Sequence, residues 1–217
     1  MKKIDIAKLE DLSKKYKDKQ EGKQKIVFEA SGQGSFYIYE KTKDAEITTS
    51  VSKKDFKVVA VTKSIKKLKE NITEFYTYSS EGFLQRYIES QNTTKIQDPE
   101  IGEIVVERYV LEIEKFDENG LIKVHKNYNT FFKTNLQDII AIAKKNNNTH
   151  ISVYKLYLDD DLSAVPILGL TKDDFAREKP FWIIQYKESI DNDAFVFRIY
   201  DGVSGAFIIE KNSRIKN

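Results

Sequence analysis

The chain has no cysteine, so disulfides, thiol nucleophiles and cysteine-ligated zinc are excluded. Its two histidines, His125 and His150, are too few and too far apart for a histidine-built metal centre. No stretch approaches the roughly 20 apolar residues that a membrane-spanning helix needs. The opening, MKKIDIAKLE, carries charges where a signal peptide has its apolar core, so the chain as given reads as cytoplasmic. An exported protein already relieved of its leader would read the same and belong outside the cytoplasm. Glycine-rich phosphate loops and the G-x-S-x-G nucleophile elbow are missing as well. Gly32-Gln33-Gly34 lacks the third glycine and the following helix of a dinucleotide site. The net charge is +2, from 36 basic and 34 acidic residues, which denies the electrostatic footprint of nucleic-acid binding. We therefore expect no catalytic residues, no metal and no cofactor.

What is present is a surplus of rings: 12 tyrosines, 13 phenylalanines and a single tryptophan in 217 residues. Helical spacing of Ile6, Leu9, Leu12 and Tyr16 predicts an N-terminal helix over residues 4–19. Residues 25–114 then turn β-rich, with strands expected at 25–30, 35–40, 46–51, 56–62, 72–78 and 83–89. The lysine-rich piece 64–71 fits helix or loop equally. A polar stretch at 90–100, containing Pro99, marks the expected boundary between a first half, 1–98, and a second, 99–217. In the second half Asn119-Gly120 is the strongest hairpin signal. Thr134 with Gln137 fits a capping box for a second helix near 134–146, and a strand is expected at 151–158. The fold class this implies is α+β, antiparallel sheets with two helices.

Residues 181–187 are apolar on both alternating faces, as in a central strand covered on its sides. Strands at 194–200 and 206–210 follow, joined by Asp201-Gly202-Val203-Ser204-Gly205. There Asp201 can accept a backbone hydrogen bond and Gly205 can take φ > 0. Asp201, Gly202, Ser204 and Gly205 are thus a structural turn. Trp182, Tyr186 and Tyr200 are the candidate partner-binding residues, because Tyr and Trp bury large areas at small entropic cost. A tryptophan in a central strand is also an ordinary core residue. The acidic clusters 159–161 and 191–193 lack calcium-loop spacing and read as solvated turns. His125 is placed to pair with Glu112 across the hairpin.

Residues 134–211 resemble the PepSY domain, through the helix NLQDIIAIAKKNN, the strand HISVYKLYL and the closing hairpin FVFRIYDGVSGAFII. In the family's Asp-x-x-Thr-Gly turn, Asp201 and Gly205 match and Ser204 replaces the threonine. The resemblance implies a helix on a small antiparallel sheet and a non-catalytic role in inhibiting or regulating peptidases, mostly outside the cytoplasm. The expected function is a non-enzymatic protein- or peptide-binding module. An immunity protein that neutralises a cognate toxin is the alternative of the same class, and a carrier of lipid or another apolar ligand the alternative of a different one.

Overall fold

The computed structural model describes residues 3–16, 26–29, 34–146, 148–158, 178–187 and 195–213. In chain order they form α1 (Ile6–Tyr16), β1 (Ile26–Glu29), β2 (Phe36–Lys41), β3 (Ala45–Lys54), β4 (Lys57–Lys67), β5 (Ile72–Tyr78), β6 (Leu84–Gln91), β7 (Thr94–Asp98), β8 (Gly102–Val106), β9 (Tyr109–Phe116) and β10 (Ile122–Asn127). A 3-10 turn (Tyr128–Phe131), α2 (Leu136–Lys145), β11 (Ile151–Tyr157), β12 (Pro180–Lys187), β13 (Phe195–Asp201) and β14 (Phe207–Ser213) complete the order. The described residues are mostly β, 59% strand against 14% helix. This corrects the α+β expectation: two short helices are carried by two large sheets. Segments such as 64–67 and 94–98, too polar to announce themselves, are strands because neighbours hold their backbones.

The chain divides into two compact units. Met1–Gln91 with Val110–Asn127 forms the first, and Asn92–Tyr109 with Tyr128–Asn217 the second. The units do not follow the expected division at 98/99. Strand β7 belongs with the later residues, and the β9–β10 hairpin returns to the earlier ones.

In the first unit eight strands run in the order β1-β2-β3-β4-β5-β6-β9-β10. Alternation puts Phe36, Ile38, Val51, Val61, Tyr78 and Leu84 on one face, where they form a buried cluster. Ile6, Leu9 and Leu12, the apolar stripe of α1, pack on that cluster. Asp5 starts the helix, its Oδ1 accepting the Lys8 N–H at 3.0 Å. The tip joining β3 to β4 is Asp55-Phe56, both at positive φ (50° and 61°), the geometry of a tight two-residue hairpin. Phe56 is 73% exposed there.

In the second unit the order is β14-β13-β12-β11-β8-β7. All pairs are antiparallel except β11 with β8, where Ile151, Ser152 and Val153 run parallel to Ile104, Val105 and Val106. Helix α2 covers one face, burying Ile139, Ile140 and Ala143 against Ile104, Val153, Trp182, Ile184 and Val196. Its cap is Asn135, in a capping box with Asp138, one residue later than the Thr134–Gln137 reading. The opposite face buries Leu158, Phe181, Ile183, Phe197 and Ile199.

Candidate functional site

The turn after β13 is closed by its own side chains. Asp201 Oδ1 accepts the N–H groups of Val203 (2.9 Å) and Ser204 (2.8 Å) and the Ser204 hydroxyl (3.0 Å). The Ser204 N–H above all holds the Asp201 carboxyl below the usual carboxylate range. Gly205 sits at φ +71°, which glycine alone adopts without strain. Gly202 is different: a Cβ there would meet Pro180 Cβ at 2.6 Å and Phe132 Cδ1 at 2.9 Å. That closeness lets the Gly202 carbonyl accept the N–H groups of Lys133 and Thr134, both at 3.1 Å, while its N–H donates to Pro180 O at 2.8 Å. The Thr134 hydroxyl donates to Val203 O at 3.2 Å. The turn is therefore fastened to the segment that launches α2.

Trp182 joins the same circuit, its indole Nε1–H donating to Thr134 O at 3.0 Å. The ring is 3% exposed and meets Phe132 edge-on at 5.5 Å. Tyr186 and Tyr200, read from sequence as exposed recognition residues, are buried too. Tyr186 lies under the Arg198 guanidinium at 5.0 Å, and Tyr200 packs against Phe207 at 5.8 Å. All three are therefore buried: Trp182 is a core residue of its central strand, and the expectation that Tyr186 and Tyr200 are exposed is corrected. The physical reason is coverage: all three sit on the α2 face of interior strands. Lys155, opposite Trp182 in the β11–β12 ladder, extends between the rings of Phe132, Tyr109 and Trp182, 4.6, 4.9 and 5.7 Å away. Its ammonium donates to Asn129 Oδ1 at 2.6 Å, and burial pushes its pKa down to about 8. This lysine pins aromatic walls together.

The surface that remains open is the outer strand of the same hairpin. Phe207, Ile208 and Ile209 are 57%, 46% and 37% exposed, with Val203 of the turn beside them in sequence at 41%. The register slips between Ile199 and Tyr200, so that β14 carries one extra residue, Ile208, opposite β13. A bulge of this kind kinks an outer strand and blunts it against endless pairing. Three consecutive apolar residues straight after a turn were the available sequence signal for this patch.

His125 does meet Glu112, Nε2 to Oε1 at 2.5 Å, as cross-strand spacing suggested. Glu114, which sequence reasoning passed over, completes a trio whose ligating atoms lie within 4.8 Å of one another. Such a set has the donor chemistry for a divalent cation. His150 is exposed at φ 50°, and its N–H donates to Ile101 O at 2.9 Å, a turn contact. The acidic runs 159–161 and 191–193 lie outside the described residues.

No protein-family model, curated protein or solved structure matches the chain. Among the described residues no helix is long and apolar enough to cross a membrane.

Proposed function

We propose that the chain is a non-enzymatic protein-binding module, of the inhibitory or regulatory kind that the PepSY resemblance implies. The observation that carries this reading is the run of exposed apolar side chains along the outer strand, Phe207, Ile208 and Ile209, following Val203 of a turn that is fastened in place. Much of the apolar area of these four side chains stays in water. Presented on a rigid, bulged strand, they lose little entropy when an apolar surface of another polypeptide covers them. The anchoring of Asp201–Gly205 against Phe132–Thr134 supports it further, because it fixes the patch before binding. The hollow beside the start of α1, about 550 Å³ and lined by Lys3, Asp5, Ser80 and Glu81 among others, is open and polar. This hollow suits an apolar ligand poorly.

The test places a photo-crosslinking amino acid at Ile208 and, as a control, at Val59, an exposed apolar residue of the other sheet. A discrete adduct from position 208, absent from 59 and abolished by Ile209→Lys, is the expected result. Absence of a 208-specific adduct in the native host overturns the reading.

A further inference from the structure

The α1-bearing face of the eight-stranded sheet changes character away from the helix. In the β5–β6 ladder Tyr76 stands opposite Tyr87, and Glu74 opposite Glu89. The two rings are 5.2 Å apart. Each hydroxyl donates to the carboxylate on its own strand, Tyr76 to Glu74 and Tyr87 to Glu89, both at 3.0 Å. Phe116 of β9 packs on the apolar cluster of this face, so alternation places Glu114 and Glu112 on it as well. His125 completes the row from β10. Carboxylates therefore cross three neighbouring strands, β5, β6 and β9, and His125 stands beside them on β10.

Like charges directly opposite one another in a ladder oppose folding. Positive charge on this face comes from β4, where Lys67 holds Glu74 at 2.7 Å and Lys63 stands opposite Tyr76. Among the described residues no lysine or arginine lies within ion-pairing distance of Glu89, Glu112 or Glu114. Yet the chain as a whole carries +2, so this face is opposite in sign to the molecule. A pair of tyrosine rings edged by carboxylates is the chemistry that receives a guanidinium, which stacks on the rings and takes the carboxylate through two N–H groups.

We propose that this face binds an arginine-bearing segment of a partner polypeptide, one guanidinium seated over Tyr76 and Tyr87 against Glu89 and further basic side chains on Glu112 and Glu114. Charge complementarity selects this occupant, and the site is distinct in chemistry from the apolar hairpin patch. It stands or falls separately from it.

Binding of a labelled hexa-arginine peptide, read by fluorescence anisotropy on the full chain, tests the proposal. The combined variant Glu89→Gln/Glu112→Gln/Glu114→Gln should weaken binding by about tenfold or more, and Tyr87→Leu by about threefold or more. Asp11→Asn/Glu81→Gln/Glu118→Gln makes the same charge change at exposed positions of the same unit and should weaken it less than about twofold. Removing facing carboxylates relieves repulsion, so the combined variant should melt no lower than the parent. If it fails to fold, Glu89→Gln alone serves, with a weakening of about threefold expected. No measurable binding, or equal weakening by the facing and control sets, overturns the proposal. Displacement of the peptide by equimolar Mn²⁺ would assign Glu112, Glu114 and His125 to a divalent metal instead, and overturns it too.

Discussion

Strands β5 and β12 occupy equivalent places, each interior to its sheet with a hydrogen-bonded neighbour on either side, yet they are buried in opposite ways. Six of the eight residues of β12, Pro180–Ile184 and Tyr186, are each buried and the seventh, Gln185, is partly so. In β5 only Thr73 and Tyr78 reach that state. Backbone pairing is therefore not what removes side chains from water. Coverage is: β12 has α2 and its cluster on one face and a second apolar cluster on the other, whereas the α1 cluster buries Tyr78 of β5, holds Tyr76 only partly buried at its margin, and goes no further along the strand. The sequences record the difference as PFWIIQYK against ITEFYTY, an almost unbroken apolar run against an interrupted one.

The comparison can be broken most forcefully at Trp182. Trp182→Ala should cost about 3–5 kcal/mol in chemical denaturation, and Phe75→Ala on β5 less than about half of that. Equal losses would mean that the two strands are covered alike. Next in size is Gly202→Ala, which forces a methyl into Pro180 and Phe132. A cost of about 1–3 kcal/mol is expected, with crosslinking at position 208 retained at temperatures where the variant is folded. Asp201→Ala should cost about 1 kcal/mol through the lost turn hydrogen bonds.

The pH dependence of Asp201 follows from the sign of its shift. Its pKa is depressed in the folded chain, so its stabilisation is complete above the ordinary aspartate value of about 4 and is lost as pH falls through the lower, folded value. Asp201→Asn should flatten that acid limb of the stability curve, and an unchanged limb would contradict the geometry. The smallest effect has the opposite sign. Phe56 holds a left-handed backbone in solvent, so Phe56→Asn should stabilise by up to about 1 kcal/mol. A loss of stability would show that the exposed ring is packed after all.

The contrast also explains what the sequence made legible. Residues 72–78 were readable as a strand to the residue, because Asn71 and Ser79 punctuate them. The second helix was readable, but its cap is Asn135, boxed with Asp138, rather than Thr134. Both residues can cap, and the Thr134 hydroxyl donates instead to Val203 O, 69 positions away. Strand β7, TKIQD, was invisible because its burial is slight and its partner β8 supplies the order. The lysine-rich end of β4 escaped notice likewise, since Lys66 and Lys67 lie opposite Glu46 and Ile72 and pair with Glu46 and Glu74. At the candidate site, the turn residues could be read from local chemistry. The fate of Tyr186 and Tyr200 could not, because alternation tells which residues share a face but not which face another element will cover.

The order in which the chain visits its two units has a consequence for biosynthesis. Strands β7 and β8 emerge from the ribosome before β9 and β10, but Ile104 must wait for Ile151 before its sheet can grow. The first sheet, meanwhile, ends in an unfinished edge at β6 until Tyr109–Asn127 has been made. Each unit thus spends part of translation with an open strand that only a later segment can close, when exposed edges are most prone to wrong pairing. A nascent chain stalled between β8 and β9 would hold two incomplete sheets, and neither unit can be obtained by trimming the gene from one end.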